Sequence, residues 1–130
     1  MALIKSVRGF DPIIGKDCFL ADNATIIGDV VIGDDVSIGH NVVIHGAKIH
    51  NFALIGMGAI VMDDAEVGEG ALVAAGSVVL SKTKIGPNEM WAGSPAKFIK
   101  MVEPEKAKEM NIKIARNYLM YSKWYDEEQK

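Results

Sequence analysis

From Ile14 to Trp91 the chain places a large apolar side chain at every sixth position. The series runs Ile14, Leu20, Ile26, Ile32, Ile38 and Ile44, loses one residue, then continues Ile49, Ile55, Val61, Val67, Val73, Val79 and Ile85 and ends on Trp91. A helix repeats at 3.6 and a half-buried strand at 2. Six is a multiple of two, so short strands persist while every third inward position recurs. Four residues after each member stands a small or β-branched residue, from Cys18, Ala24 and Val30 through Ala59, Ala65 and Ala71 to Ser77 and Thr83. Lys48, at the lost residue, and Glu89, at the end, break this second column. Gly15 and Gly33, like Gly68 and Gly86, lie eighteen positions apart, so three hexads form one turn. The pattern predicts an all-β solenoid whose turns have three short flat sides.

Stacking the turns gives three predicted inward columns: Ile14, Ile32, Ile49, Val67 and Ile85; Leu20, Ile38, Ile55, Val73 and Trp91; Ile26, Ile44, Val61 and Val79. The turns fall at 14–31, 32–48, 49–66 and 67–84, with a partial turn from 85. The turn 32–48 is one residue short, which puts a tight corner at Gly46-Ala47-Lys48. Residues 1–13 read as a lead-in, with Phe10 as a cap on the open end. Asp35, at a corner, is expected to tolerate alanine within about 0.5 kcal/mol. Residues 98–130 read as a linker and one α-helix. Pro104 suits a first helical turn, and Ala107, Met110, Ile114, Tyr118, Tyr121 and Tyr125 form one apolar stripe. The stripe is expected to pack on the solenoid or on a neighbouring subunit.

Charge and composition narrow the function. With 130 residues the chain is expected to be one domain. A net charge of −3 offers no field for nucleic acid or an anionic membrane. No apolar run is long enough to span a bilayer, and the opening MALIKSVRG lacks the apolar segment of a signal peptide. A single cysteine excludes an internal disulfide. These features together give a cytoplasmic expectation. Cys18 occupies a small-residue slot and is expected to be packing.

Three histidines remain as candidates for chemistry: His40, His45 and His50. Imidazole is the usual ligand of zinc and related ions. His40 lies two residues after Ile38 and His45 one residue after Ile44, on different sides of the prism. The two imidazoles of one chain should diverge, so a metal site using both needs a second subunit. His50 stands where Gly68 and Gly86 stand in later turns and reads as a corner residue. It becomes a third candidate ligand if its corner faces the interface.

Several segments carry a resemblance. Phe19-Leu20-Ala21-Asp22-Asn23-Ala24, Ile38-Gly39-His40-Asn41-Val42-Val43-Ile44-His45-Gly46, Leu54-Ile55-Gly56-Met57-Gly58-Ala59 and Gly93-Ser94-Pro95-Ala96-Lys97 resemble the γ-class carbonic anhydrase-like branch of the hexapeptide-repeat proteins. That resemblance implies a left-handed parallel β-helix of about 4–5 turns with one C-terminal α-helix. It also implies a homotrimer with zinc held between subunits by three histidines, two of them matching His40 and His45. The implied chemistry is attack of zinc-bound hydroxide on carbon dioxide. The departure is also specific. About two turns that precede the Gly39-His40 motif in that branch, carrying the third histidine and Arg, Asp and Gln partners, have no counterpart. Arg8 and Arg116 lie outside the repeat, and Gln129 is the one glutamine. Three functions follow as expectations: a metal-binding γ-carbonic anhydrase-like protein with weak or lost hydration, an acyl-CoA-dependent acyltransferase using a histidine base, or a non-catalytic trimeric scaffold.

Overall fold

The computed structural model describes residues 2–113 and forms a parallel β-solenoid of about five turns. Fifteen short parallel strands form three faces. The first stacks Leu3–Lys5, Thr25–Ile27, Val43–His45, Ile60–Val61 and Val78–Val79. The second stacks Ile13–Ile14, Val31–Ile32, Lys48–Ile49, Glu66–Val67 and Lys84–Ile85. The third stacks Phe19–Leu20, Ser37–Ile38, Leu54–Ile55, Leu72–Val73 and Glu89–Gly93. We call these the Ile44, Ile49 and Ile55 faces. The architecture agrees with the left-handed β-helix that the resemblance implied.

Each predicted column is one face in register: Ile26 pairs with Ile44 and Ile44 with Val61, Ile32 with Ile49, and Ile38 with Ile55. The hexad has a steric origin. Its aliphatic residue fills the centre of a face, while the residue four later points inward where two faces meet and space is smallest. Val30, Val36, Val42, Ala53, Ala59, Ala65 and Ala71 are all buried there. In the short turn Ala47 takes that slot and is fully buried, which leaves Lys48 to point outward. The lost residue thus shortens a corner and preserves every column.

The ends differ from expectation. Leu3–Lys5 is a strand that adds to the Ile44 face by pairing with Thr25–Ile27. Phe10, expected as a cap, is 55% exposed and bridges Val7 in an isolated turn. At the other end, Ala96–Met101 folds back antiparallel on Glu89–Gly93. What read as linker from residue 98 therefore begins as strand. Glu89 closes the final turn, its Oε1 accepting from the Gly86 amide at 2.7 Å and the Trp91 indole at 3.1 Å. Asp35 has φ of 56°, a left-handed conformation. Alanine there should cost about 1 kcal/mol rather than the smaller figure expected of an ordinary surface site.

A helix over 104–113 starts at Pro104 and lies on the corner formed by Phe52 and Gly70. Ala107 and Asn111, four apart, face the solenoid, whereas Met110 is exposed. The docked face is thus rotated one residue from the predicted stripe, because Asn111 donates from Nδ2 to the Phe52 carbonyl at 2.8 Å. The Lys108 ammonium sits 5.1 Å from the Phe52 ring centroid. Ile114 and the three tyrosines of the stripe lie outside the described residues. Among the described residues, no helix is long and apolar enough to cross a membrane.

Candidate functional site

The three histidines occupy three different corners of the prism. His40 is exposed on the turn from the Ile55 face to the Ile44 face. Two asparagines tie that corner across adjacent turns. Asn41 donates its amide to Asn23 Oδ1 at 2.9 Å, and Asn23 Nδ2 donates to Asn41 Oδ1 at 2.8 Å. Asn41 has φ of 60°, a conformation that asparagine tolerates.

His45 ends the strand Val43–His45. Ile44 points inward, so His45 points out, at the corner toward the Ile49 face. Its Nδ1 bonds Oδ1 of Asp63, one turn further on. The face around it is mainly apolar, with Leu3, Ile60, Met62 and Leu80 exposed, and it also carries the exposed Lys5.

His50 lies at the remaining corner, after Lys48–Ile49. Its Nε2 is 2.7 Å from Glu66 Oε1, and Lys84 Nζ donates to Glu66 Oε2 at 2.9 Å. The three side chains, at three successive strands of the Ile49 face, line an open cleft of about 520 Å³ with Glu69, Pro87 and Glu89. Hydrogen bonds from Lys84 and then His50 hold the Glu66 carboxyl down from 4.5 to about 2. Because the folded value lies below the unfolded one, this stabilisation is complete above about pH 4.5 and is lost as the pH falls toward 2. Lys84→Met should therefore raise the Glu66 midpoint toward 4.5 in a carbon-13 NMR titration. An unmoved midpoint would remove Lys84 as the cause.

Within one chain, then, His40, His45 and His50 are not brought together. Among the described residues, no three His, Cys, Asp or Glu side chains are placed to hold a metal ion. Cys18 is half-buried, with its thiol donating to the Gly33 carbonyl at 3.0 Å, and burial raises its pKa. Both features suit packing rather than reactivity. Sequence reasoning missed Asp63 and Glu66, although a signal was present. Residues about one turn apart become neighbours in a solenoid, and Asp63 lies eighteen positions after His45.

The family model "Bacterial transferase hexapeptide (six repeats)" matches residues 11–46 and 46–81, and the chain belongs to that hexapeptide-repeat family. Within it the chain is γ-carbonic anhydrase-like. It is 34% identical over 166 aligned positions to "Carbonic anhydrase" of Geobacillus kaustophilus, covering 95% of this chain and 91% of that one. It is 39% identical over 89 residues to "Gamma carbonic anhydrase 2, mitochondrial" of Arabidopsis thaliana, covering 68% of this chain but only 32% of that protein. A solved "putative acetyltransferase" of Bacillus cereus is similar with a TM-score of 0.66 and 32% identity, covering 95% of this chain and 96% of that one. About 124 of this chain's 130 residues lie among the 166 aligned positions, so about 42 positions of the Geobacillus protein face no residue of this chain, somewhat more than two eighteen-residue turns.

Proposed function

We propose that the protein is a homotrimer that binds a divalent cation such as zinc between subunits, through His45 of one chain and His40 of its neighbour, and hydrates carbon dioxide at or near background. The observation that carries this reading is His45: an outward imidazole on an exposed, mainly apolar face, with Nδ1 engaged by Asp63. The donor chemistry suits zinc, since an imidazole whose other nitrogen is held by a carboxylate is a common metal ligand. The arrangement within one chain does not suit it, because the histidines diverge, so the fit exists only across subunits. A second copy is the natural cover for Leu3, Ile60, Met62 and Leu80. Zinc, when bound, would supply a water acidified to a pKa of about 7. In this reading His50 is not a ligand, because it stands at the third corner of the prism, away from the corners of His40 and His45.

Light scattering should give three subunits per particle, and metal analysis less than one tightly held ion per interface. A monomer at micromolar concentration would overturn the assembly. Metal retained in His45→Ala but lost in His50→Ala would overturn the ligand assignment. Acyl transfer stays a second reading because of the likeness to the Bacillus cereus structure. Thiol release from acetyl-CoA with small acceptors would favour it. The third reading, a non-catalytic scaffold, predicts a trimer without metal.

A further inference from the structure

We propose that Asp63 is the positioning residue of His45: it holds the imidazole in the tautomer that protonates Nδ1 and leaves the Nε2 lone pair directed away from the solenoid. A carboxylate only accepts hydrogen bonds, so the Nδ1–Asp63 bond requires the proton on Nδ1. Nε2 is then the basic nitrogen, available to a cation or to an acidic proton on a ligand.

The corner is built for this contact. In the other turns two residues separate the outward end of the Ile44 face from the next inward small residue: Gly28-Asp29 before Val30, Asp63-Asp64 before Ala65, Ser81-Lys82 before Thr83. In the turn of His45 there is only Gly46 before Ala47. Gly46 has φ of 60°, and a Cβ on it would collide with the Asp63 carboxylate. The Gly46 carbonyl accepts from the Asp64 amide at 3.0 Å, which fixes the backbone beside Asp63. The missing residue and the glycine therefore open the space through which Asp63 reaches back to His45. The strand register sets Val61 opposite Ile44 and so Met62 opposite His45, and Asp63 reaches the imidazole from the corner one residue further on. The ligand role of Nε2 rests on the function proposed above, whereas the tautomer does not.

Two measurements separate those claims. Long-range proton–nitrogen-15 correlation spectra of the metal-free protein, in alkaline buffer with His45 assigned from His45→Gln, report the tautomer directly. The wild type should show a protonated Nδ1. Asp63→Ala should give a mixture, and Asp63→Asn, whose side-chain oxygen still accepts, should restore the wild-type pattern. Gly46→Ala should resemble Asp63→Ala in any fraction that folds. A protonated Nε2 in the wild type, or an unchanged spectrum in Asp63→Ala, would overturn the inference. The second measurement is cobalt(II) binding by titration. If His45 is a ligand, His45→Gln abolishes binding and Asp63→Ala weakens it about 10- to 100-fold. Cobalt binding indifferent to His45→Gln would sink the metal reading and leave the tautomer result standing. Binding lost in His45→Gln but undiminished in Asp63→Ala would overturn the positioning role alone.

Discussion

Ile55→Asp should unfold the protein or cost it several kcal/mol, the largest stability effect of any single substitution considered. Ile55 is 1% exposed and sits mid-stack, paired with Ile38 on one side and Val73 on the other. A carboxylate there would lose its hydration in a site that supplies no partner, and a buried unpaired charge is among the costliest changes known. The large isoleucine would also be replaced by a smaller side chain, with loss of its apolar burial. Position matters as much as chemistry. Each turn stacks on its neighbours alone, so a fault in the middle separates the stack into two pieces, each with too few turns to bury its face. Asp35→Ala is the contrast, with a cost of about 1 kcal/mol from its left-handed backbone. Urea unfolding followed by circular dichroism measures both. Similar midpoints for the two variants would contradict the assignment of Ile55 to the core.

The columns were legible because a solenoid turns a long-range problem into a periodic one. Once eighteen residues make a turn, Ile32 must lie on Ile14 and Ile49 on Ile32, and the short turn at Ala47 announces itself as one missing count. The divergence of His40 and His45 followed from the same arithmetic. The ends were not legible, since no neighbouring turn repeats there. Leu3–Lys5 has no hexad to mark it, yet it joins the Ile44 face because that face's edge would otherwise stay unpaired. The helix docks through Asn111, a polar residue in an apolar stripe, because the Phe52 carbonyl on the corner needs a donor. Helical periodicity counts apolar residues and is blind to such a bond. The partners of His45 and His50 escaped notice for another reason. Asp63 and Glu66 read as ordinary corner and surface carboxylates until the turns are stacked, and only then does each stand beside an imidazole.

Carbon dioxide hydration should lie at or near the uncatalysed rate, even with zinc or cobalt added. The reason is ligand count and geometry. A catalytic zinc site normally takes three protein ligands and keeps one position for water. His40 and His45 occupy separate corners, so an interface offers one imidazole from each of two chains. His50 stands at a third corner with Nε2 committed to Glu66, and Lys84 braces that carboxylate from the next turn. The roughly 42 aligned positions of the Geobacillus protein that face no residue of this chain leave it no extra turns from which to draw a further ligand. Partners of metal ligands commonly matter 10- to 100-fold, and a missing ligand should matter more. Stopped-flow hydration assays on the wild type, His45→Ala and His50→Ala, each with added metal, test the expectation. Rapid wild-type hydration lost in both variants would make His50 the replacement ligand, drawn from Glu66 by assembly. Rapid hydration lost only in His45→Ala would mean that two histidines and solvent suffice. Either outcome overturns the prediction, while three background rates uphold it.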